Sequence, residues 1–192
     1  MTRAAPAIST QRNAILRIYR GIDEDTAAFS AATGLVCPPG CGRCCENPRV
    51  DATVVEMVPA ALWLVESGLA EEFRQRAEQA HGAWCIFFEP QGDGLGRCGA
   101  YAWRPTICRL FGFAGVRRKG GARELAACAV HSGTQPDVVT SAMEQVEEGL
   151  NMPVFEDAAR KVLAVHPEDG RIRLPINDAL LLALERVVRR GV

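Results

Sequence analysis

Apolar side chains recur at helical spacing along several stretches, and each stretch predicts an element. Ser9 or Thr10 stands where a helix cap would, and Ile15, Leu16, Ile18 and Tyr19 then lead towards Phe29. Arg12, Arg17 and Glu24 fall elsewhere on that helix, which should end near Gly34. In residues 54–69, Val55, Val58, Leu62, Leu64 and Val65 mark a second helix. A more polar pattern over residues 71–80 follows Gly68, so the two form an α-hairpin or a kinked pair. Residues 83–88 are apolar and aromatic and predict a short buried strand. The turn Gln91-Gly92-Asp93-Gly94 would then bring residues 97–101 back beside it as a hairpin. Pro105 suits the first turn of a short helix. Helical patterns also cover residues 136–150, 153–165 and 177–190. The last is the clearest, with a stripe of Leu180, Leu181, Leu184, Val187 and Val188, Asp178 in its first turn and Arg189, Arg190 and Gly191 at its end.

These elements predict a mainly α fold in a small single domain, residues 1–192, with a cysteine-rich loop region that has space for one short β-hairpin. Residues 37–128 would form that region, flanked by helices over 1–34 and 136–190. A chain of 192 residues buries a sizeable core without cross-links. No repeat or low-complexity tract interrupts it.

Composition narrows the range of partners. Hydrophobic residues make up 48% and charged residues 23%, and the formal charge is -1, all ordinary for a globular protein. The dense basic stretches, Arg117-Arg118-Lys119 and the Arg186, Arg189, Arg190 group, read as solvated surface, so no nucleic-acid partner is expected. Residues 1–10 lack the apolar core of a secretory signal. The longest apolar run, residues 179–184, is far short of the roughly 20 residues that span a bilayer. The expectation is a cytoplasmic protein with no membrane partner.

Against that background the eight cysteines stand out, because a reducing cytosol disfavours standing disulfides. Metal ligation or redox chemistry is then the leading explanation. Cys37, Cys41, Cys44 and Cys45 follow the pattern C-x3-C-x2-C-C in a loop where Pro38, Pro39, Gly40 and Gly42 exclude a continuous helix or a central strand. Thiolates two or three residues apart in such a turn can converge on one ion, and the glycines clear space beside them. Adjacent side chains diverge, so for Cys44 and Cys45 three arrangements are open: one ligates while the other packs, they address two metals, or they flank a cluster. Cys85, Cys98, Cys108 and Cys128 follow at wider intervals. All eight are candidate ligands for zinc or iron, including an iron-sulfur cluster, and the thiolate set alone does not select among these. Cys128 also forms a C-x2-H with His131, and His81 precedes Cys85 by one helical turn, so both histidines are reserve ligands.

The second half of the pattern is more specific. Cys85-Ile86-Phe87-Phe88 precedes a glycine-rich turn, and Cys98-Gly99-Ala100-Tyr101-Ala102-Trp103-Arg104-Pro105-Thr106-Ile107-Cys108-Arg109-Leu110-Phe111 follows. This resembles the CxxCxxCC (YkgJ-like) cysteine-cluster family, in which C-x-F-L and C-x-x-Y-x-x-R-P-x-x-C-R-x-F follow the first cluster and a helix bearing a glutamate. Glu56 matches that acid. The family is described as chelating zinc or iron, and its relatives include flagellin lysine N-methylases. The resemblance spans residues 37–128, and it departs from the family at the first interval, where Pro38-Pro39-Gly40 makes x3 of the usual x2.

Beside clustered thiolates, Arg104 and Arg109 would lower thiol pKa and offset negative charge, whereas a structural pairing of Arg104 with Glu56 is the plainer alternative. Tyr101, Trp103 and Phe111 read as a packed shell that excludes water. Three functions follow: a metal-binding protein, an iron-sulfur-dependent enzyme of redox or protein N-methylation type, and a zinc-stapled interaction module that docks through its last helix. No glycine-rich nucleotide loop, H-E-x-x-H or G-x-S-x-G is present.

Overall fold

Buried Ile8, Gln11, Ile15, Tyr19, Ile22, Phe29 and Thr33 recur every three or four residues or a multiple of that, which is why α1 (Ile8–Thr33) lays one long face on the core. The computed structural model describes residues 7–80, 84–92 and 95–190. Neither Ser9 nor Thr10 caps α1; Ala7 holds that place and makes no side-chain cap. Gly34 ends the helix as expected, in the left-handed conformation at φ 77°, with its N–H donating to the Ser30 carbonyl at 2.9 Å.

After the cysteine loop, β1 (Asp51–Thr53) runs directly into α2 (Val54–Glu66). Apolar residues occur all round α2, and the helix is buried nearly all round, from Val54 to Leu64. The more polar α3 (Ala70–Gln79) follows after Gly68, which has positive φ, and buries Ala77. Thus the two-helix reading of this region is correct.

The predicted strand is displaced. The chain turns at residues 84–87, and β2 (Phe88–Gly92) begins only at Phe88, pairing antiparallel with β3 (Leu95–Cys98) and setting Phe88 opposite Cys98. Aromatic packing accounts for the shift: Phe87 lies against Phe73 at 5.2 Å and Trp63 at 6.4 Å, so the run docks onto α2 and α3 instead of alternating across a sheet. Ala83, the Asp93-Gly94 half of the predicted turn and His81 lie outside the described residues.

A 3-10 turn at Tyr101–Trp103 leads to α4 (Thr106–Leu110), where Pro105 is the N-cap and not the first helical residue. Next come β4 (Gly115–Arg117), β5 (Arg123–Leu125), α5 (Ala129–Thr134), α6 (Pro136–Glu147), α7 (Phe155–Val165), α8 (Pro167–Arg171), β6 (Arg173–Pro175) and α9 (Ile176–Arg190). The fold is mainly α, as expected, but the described residues hold three two-stranded antiparallel sheets, β1-β6, β2-β3 and β4-β5, where one hairpin was anticipated. Three-residue strands such as β1 and β6 carry too little periodicity to be seen in sequence.

Helix α2 packs most extensively on α9, with α1 on another side. Leu180, Leu184 and Val187 of α9 are buried there, whereas Val188 is exposed, so the stripe is one residue narrower than predicted. Helix α1 contacts α2, α4, α6 and α7 and so links both halves of the chain. Arg117 and Arg118 pair with Asp157 and Glu124. Among the described residues no helix is long and apolar enough to cross a membrane.

Candidate metal centre

The cysteine loop is built from short backbone turns. Cys41 N–H donates to the Pro38 carbonyl at 3.1 Å and Cys45 N–H to the Gly42 carbonyl at 2.8 Å, with Gly40 at φ 70° supplying the left-handed step. Two further bonds fix the loop to the next cysteines: Cys85 N–H to the Cys45 carbonyl at 3.0 Å, and Gly96 N–H to the Gly40 carbonyl at 2.9 Å. The ring of Phe88 fits between Gly42 and Gly96. A Cβ on either glycine would come within 2.3 Å or 2.2 Å of that ring. Gly42 therefore makes room for an aromatic ring, a different purpose from clearing the approach to a sulfur.

The folded chain collects the cysteines around two adjoining cavities. Cys37, Cys41, Cys44, Cys45, Cys85, Cys98 and Cys108 line an inner cavity of about 310 Å³, with Arg104, Tyr101 and Trp103. A more open cleft of about 850 Å³ shares Cys37, Cys41, Cys44 and Cys108 and adds Cys128. All eight cysteines are free, from exposed Cys37 to buried Cys45 and Cys85. The extra residue in the Pro38-Pro39-Gly40 turn leaves Cys37 on the wall of both cavities. Among the described residues, no three Cys, His, Asp or Glu side chains yet converge closely enough to hold an ion as they stand.

The electrostatics of the thiols divide them. The Cys45 thiol hydrogen-bonds to both Cys44 and Cys98. That bond stabilises the neighbouring thiolates, bringing Cys44 down to about 6 and Cys98 below its ordinary value, while Cys45 itself is pushed strongly up. Burial pushes Cys85 up to about 12 and Cys108 well above the usual thiol range. Burial first, then the neighbouring Cys41, Cys128 and Cys44, raises Cys37 to about 11. A cation entering this cavity meets thiols held at opposite ends of the range, Cys44 favoured as thiolate and buried Cys85 and Cys108 held as thiols.

The arginines of the R-P-x-x-C-R segment separate in role. Arg104 bears on the cysteines: after the Cys45 hydrogen bond its charge further favours the thiolates of Cys44 and Cys98, and it opposes the upward pull of burial on Cys37 and Cys108. Its guanidinium lies 3.5 Å over the Tyr101 ring, and it makes no pair with Glu56. Arg109 is instead bound up in structure, donating to the Arg104 carbonyl at 2.8 Å and the Ala102 carbonyl at 2.6 Å and pairing with Asp23. Glu56 is a buried latch: one oxygen accepts from the Thr53 N–H at 2.9 Å and hydroxyl at 2.6 Å, the other from the Thr106 N–H at 3.0 Å and its hydroxyl. It joins the start of α2 to the start of α4 and so fixes Cys108. In the expected aromatic shell, Trp103 stacks on Trp63, but Tyr101 is 65% exposed.

His131, a reserve ligand on the sequence, is placed beside two of the cysteines. It is fully buried, and its Nε2 lies 3.6 Å from Cys37 Sγ, 94 positions earlier in the chain. Its backbone N–H donates to Cys128 Sγ at 3.3 Å. The C-x2-H spacing signalled the link to Cys128, but nothing local signals Cys37.

The donor set suits a thiophilic metal. Sulfur-rich surroundings, with an imidazole near Cys37 and a cavity partly lined by aromatic side chains, match what zinc or iron takes and differ from the oxygen ligands of magnesium or calcium. No curated protein and no solved structure matches the chain significantly. A family model does match, over residues 36–154, which is more than half of the chain and contains every cysteine. Its description proposes a zinc- or iron-chelating domain, and on that match the chain belongs to the CxxCxxCC family.

Proposed function

We propose that this protein binds zinc or iron through the cysteines of its cavity, with ligands drawn from Cys37, Cys41, Cys44, Cys45, Cys85, Cys98, Cys108 and Cys128. The observation that carries this reading is the gathering of free thiols from four separate segments onto one cavity wall, several with pKa displaced by one another. Buried thiols packed merely as small hydrophobes have no reason to share a cavity with an arginine. When bound, the metal would cross-link the loop, the hairpin and α4, adding folding energy where the chain has little regular structure. Free thiols throughout favour a reducing compartment, and we place the protein in the cytoplasm. Contacts of α1 with α2, α4, α6 and α7 support a single domain.

The volume favours a centre larger than one ion. At about 310 Å³ the inner cavity is roughly ten times a water's share of liquid volume. An iron-sulfur cluster or two metal ions would fill it better. Metal analysis with an absorption spectrum, on protein purified without oxygen, tests the reading. Stoichiometric zinc or iron is the expected result, with a visible band if a cluster is present. Metal-free protein that takes up neither metal would end the proposal.

A further inference from the structure

We infer that the cysteines divide between two centres, and that His131 completes an outer, mixed nitrogen and sulfur site with Cys37, Cys41 and Cys128. This rests on the metal-binding reading above and assigns the ligands within it. Cys45, Cys85 and Cys98 line only the inner cavity and Cys128 only the outer cleft, while Cys37, Cys41, Cys44 and Cys108 lie on the wall that the two share. Of the shared thiols, Cys37 faces His131, and Cys41 and Cys128 are the thiols that bear most on Cys37.

Distance supports the assignment. With Zn–S of about 2.3 Å and Zn–N of about 2.0–2.1 Å, a tetrahedral angle sets a sulfur and a nitrogen on the same ion roughly 3.5–3.6 Å apart. Cys37 Sγ and His131 Nε2 stand at 3.6 Å. Nε2 is also the nitrogen that the fold aims forward. Phe113 meets the ring edge-on at 5.3 Å, and Gly112 backs it so closely that a Cβ there would lie 2.9 Å from the ring and 3.6 Å from Cys128 Sγ. Gly112 has φ 86°, a conformation that an L side chain rarely adopts. Gly112 therefore makes room for the His131 ring, with Cys128 Sγ in ordinary contact beside it. Among the described residues no three of these side chains yet converge, so the thiols would close on the ion as it binds. A buried imidazole whose Nε2 faces a thiol fits zinc or another borderline cation better than a purely sulfur-bound cluster.

The test uses the full chain loaded with zinc, and in parallel with cadmium, comparing wild type with His131→Ala, His131→Cys and Cys37→Ala. Wild type should hold one more zinc per chain than His131→Ala or Cys37→Ala, while His131→Cys should keep that zinc. Cadmium NMR should show one resonance at the position of a nitrogen-containing site, absent in His131→Ala and moved to the all-sulfur position in His131→Cys. Far-UV circular dichroism checks folding, and exposed Cys37 supplies a variant that spares the core if His131→Ala does not fold. Equal zinc content and all-sulfur cadmium signals in every variant would overturn this assignment while leaving metal binding intact. A wild type that binds no metal would overturn both.

Discussion

Arg109 on α4 pairs with Asp23 on α1 across 86 positions of sequence, and the same guanidinium lies 4.3 Å over the Tyr19 ring. It also holds two carbonyls of the segment between Cys98 and Cys108, so α1 anchors the far wall of the cavity. Arg109→Ala should cost about 2–4 kcal/mol, since it strips donors from carbonyls near the core and leaves a buried space. Asp23→Asn should cost about 1 kcal/mol or less, because Asp23 is half exposed and water screens the pair. Urea unfolding of both variants checks the ratio.

Glu56 satisfies two donors with each carboxylate oxygen. In Glu56→Gln one oxygen becomes an NH2 group that faces donors, so about 1–3 kcal/mol should be lost. Metal affinity should fall with it, because Thr106 no longer holds α4 in register. Unfolding and zinc titration of the same variant measure the two effects.

Phe88 between two glycines gives a steric prediction. Gly96→Ala places a Cβ 2.2 Å from the ring and 2.9 Å from the Glu89 carbonyl, and displacing the ring should cost about 1–3 kcal/mol. Gly21→Ala, within α1 and with nothing inside 4 Å, should instead stabilise by up to about 1 kcal/mol. Thermal unfolding of the two should move in opposite directions.

In metal-free protein the thiols should react with iodoacetamide in a fixed order. Cys44, brought down to about 6, stays largely thiolate at pH 7, and its labelling should decline only as pH falls through about 6. Cys85, up at about 12, should gain reactivity only as pH rises far above neutral. Peptide mass mapping across roughly pH 5 to 9 reads the order directly. Cys85 labelling ahead of Cys44 at pH 7 would contradict it.

Metal removal should loosen one region more than the rest. A chelator should lower the melting temperature and raise amide exchange in the loop and in β2-β3, while α2 and α9, packed on each other, keep their protection. Uniform exchange with and without metal would show that the centre does not brace the fold.

Much of this is legible along the chain because its causes are local. The stripe of α1, the end at Gly34, the buried α2 and the turns forced by Pro38, Pro39, Gly40 and Gly42 follow from side chains within one or two helical turns of each other. Cysteine spacing likewise announced the chemistry and the family.

What the sequence determined by itself was the kind of chemistry, soft sulfur donors in a chain otherwise ordinary, and the helices that carry it. Only the tertiary structure decided who meets whom: that Arg104 turns to the thiols while Arg109 turns to α1, that Glu56 latches two threonines, and that Cys37 faces His131 across 94 positions. The reason is that such meetings depend on closing long loops, and the cost of closure depends little on which residues lie between. Local pattern cannot record a contact whose two halves are shaped by different helices.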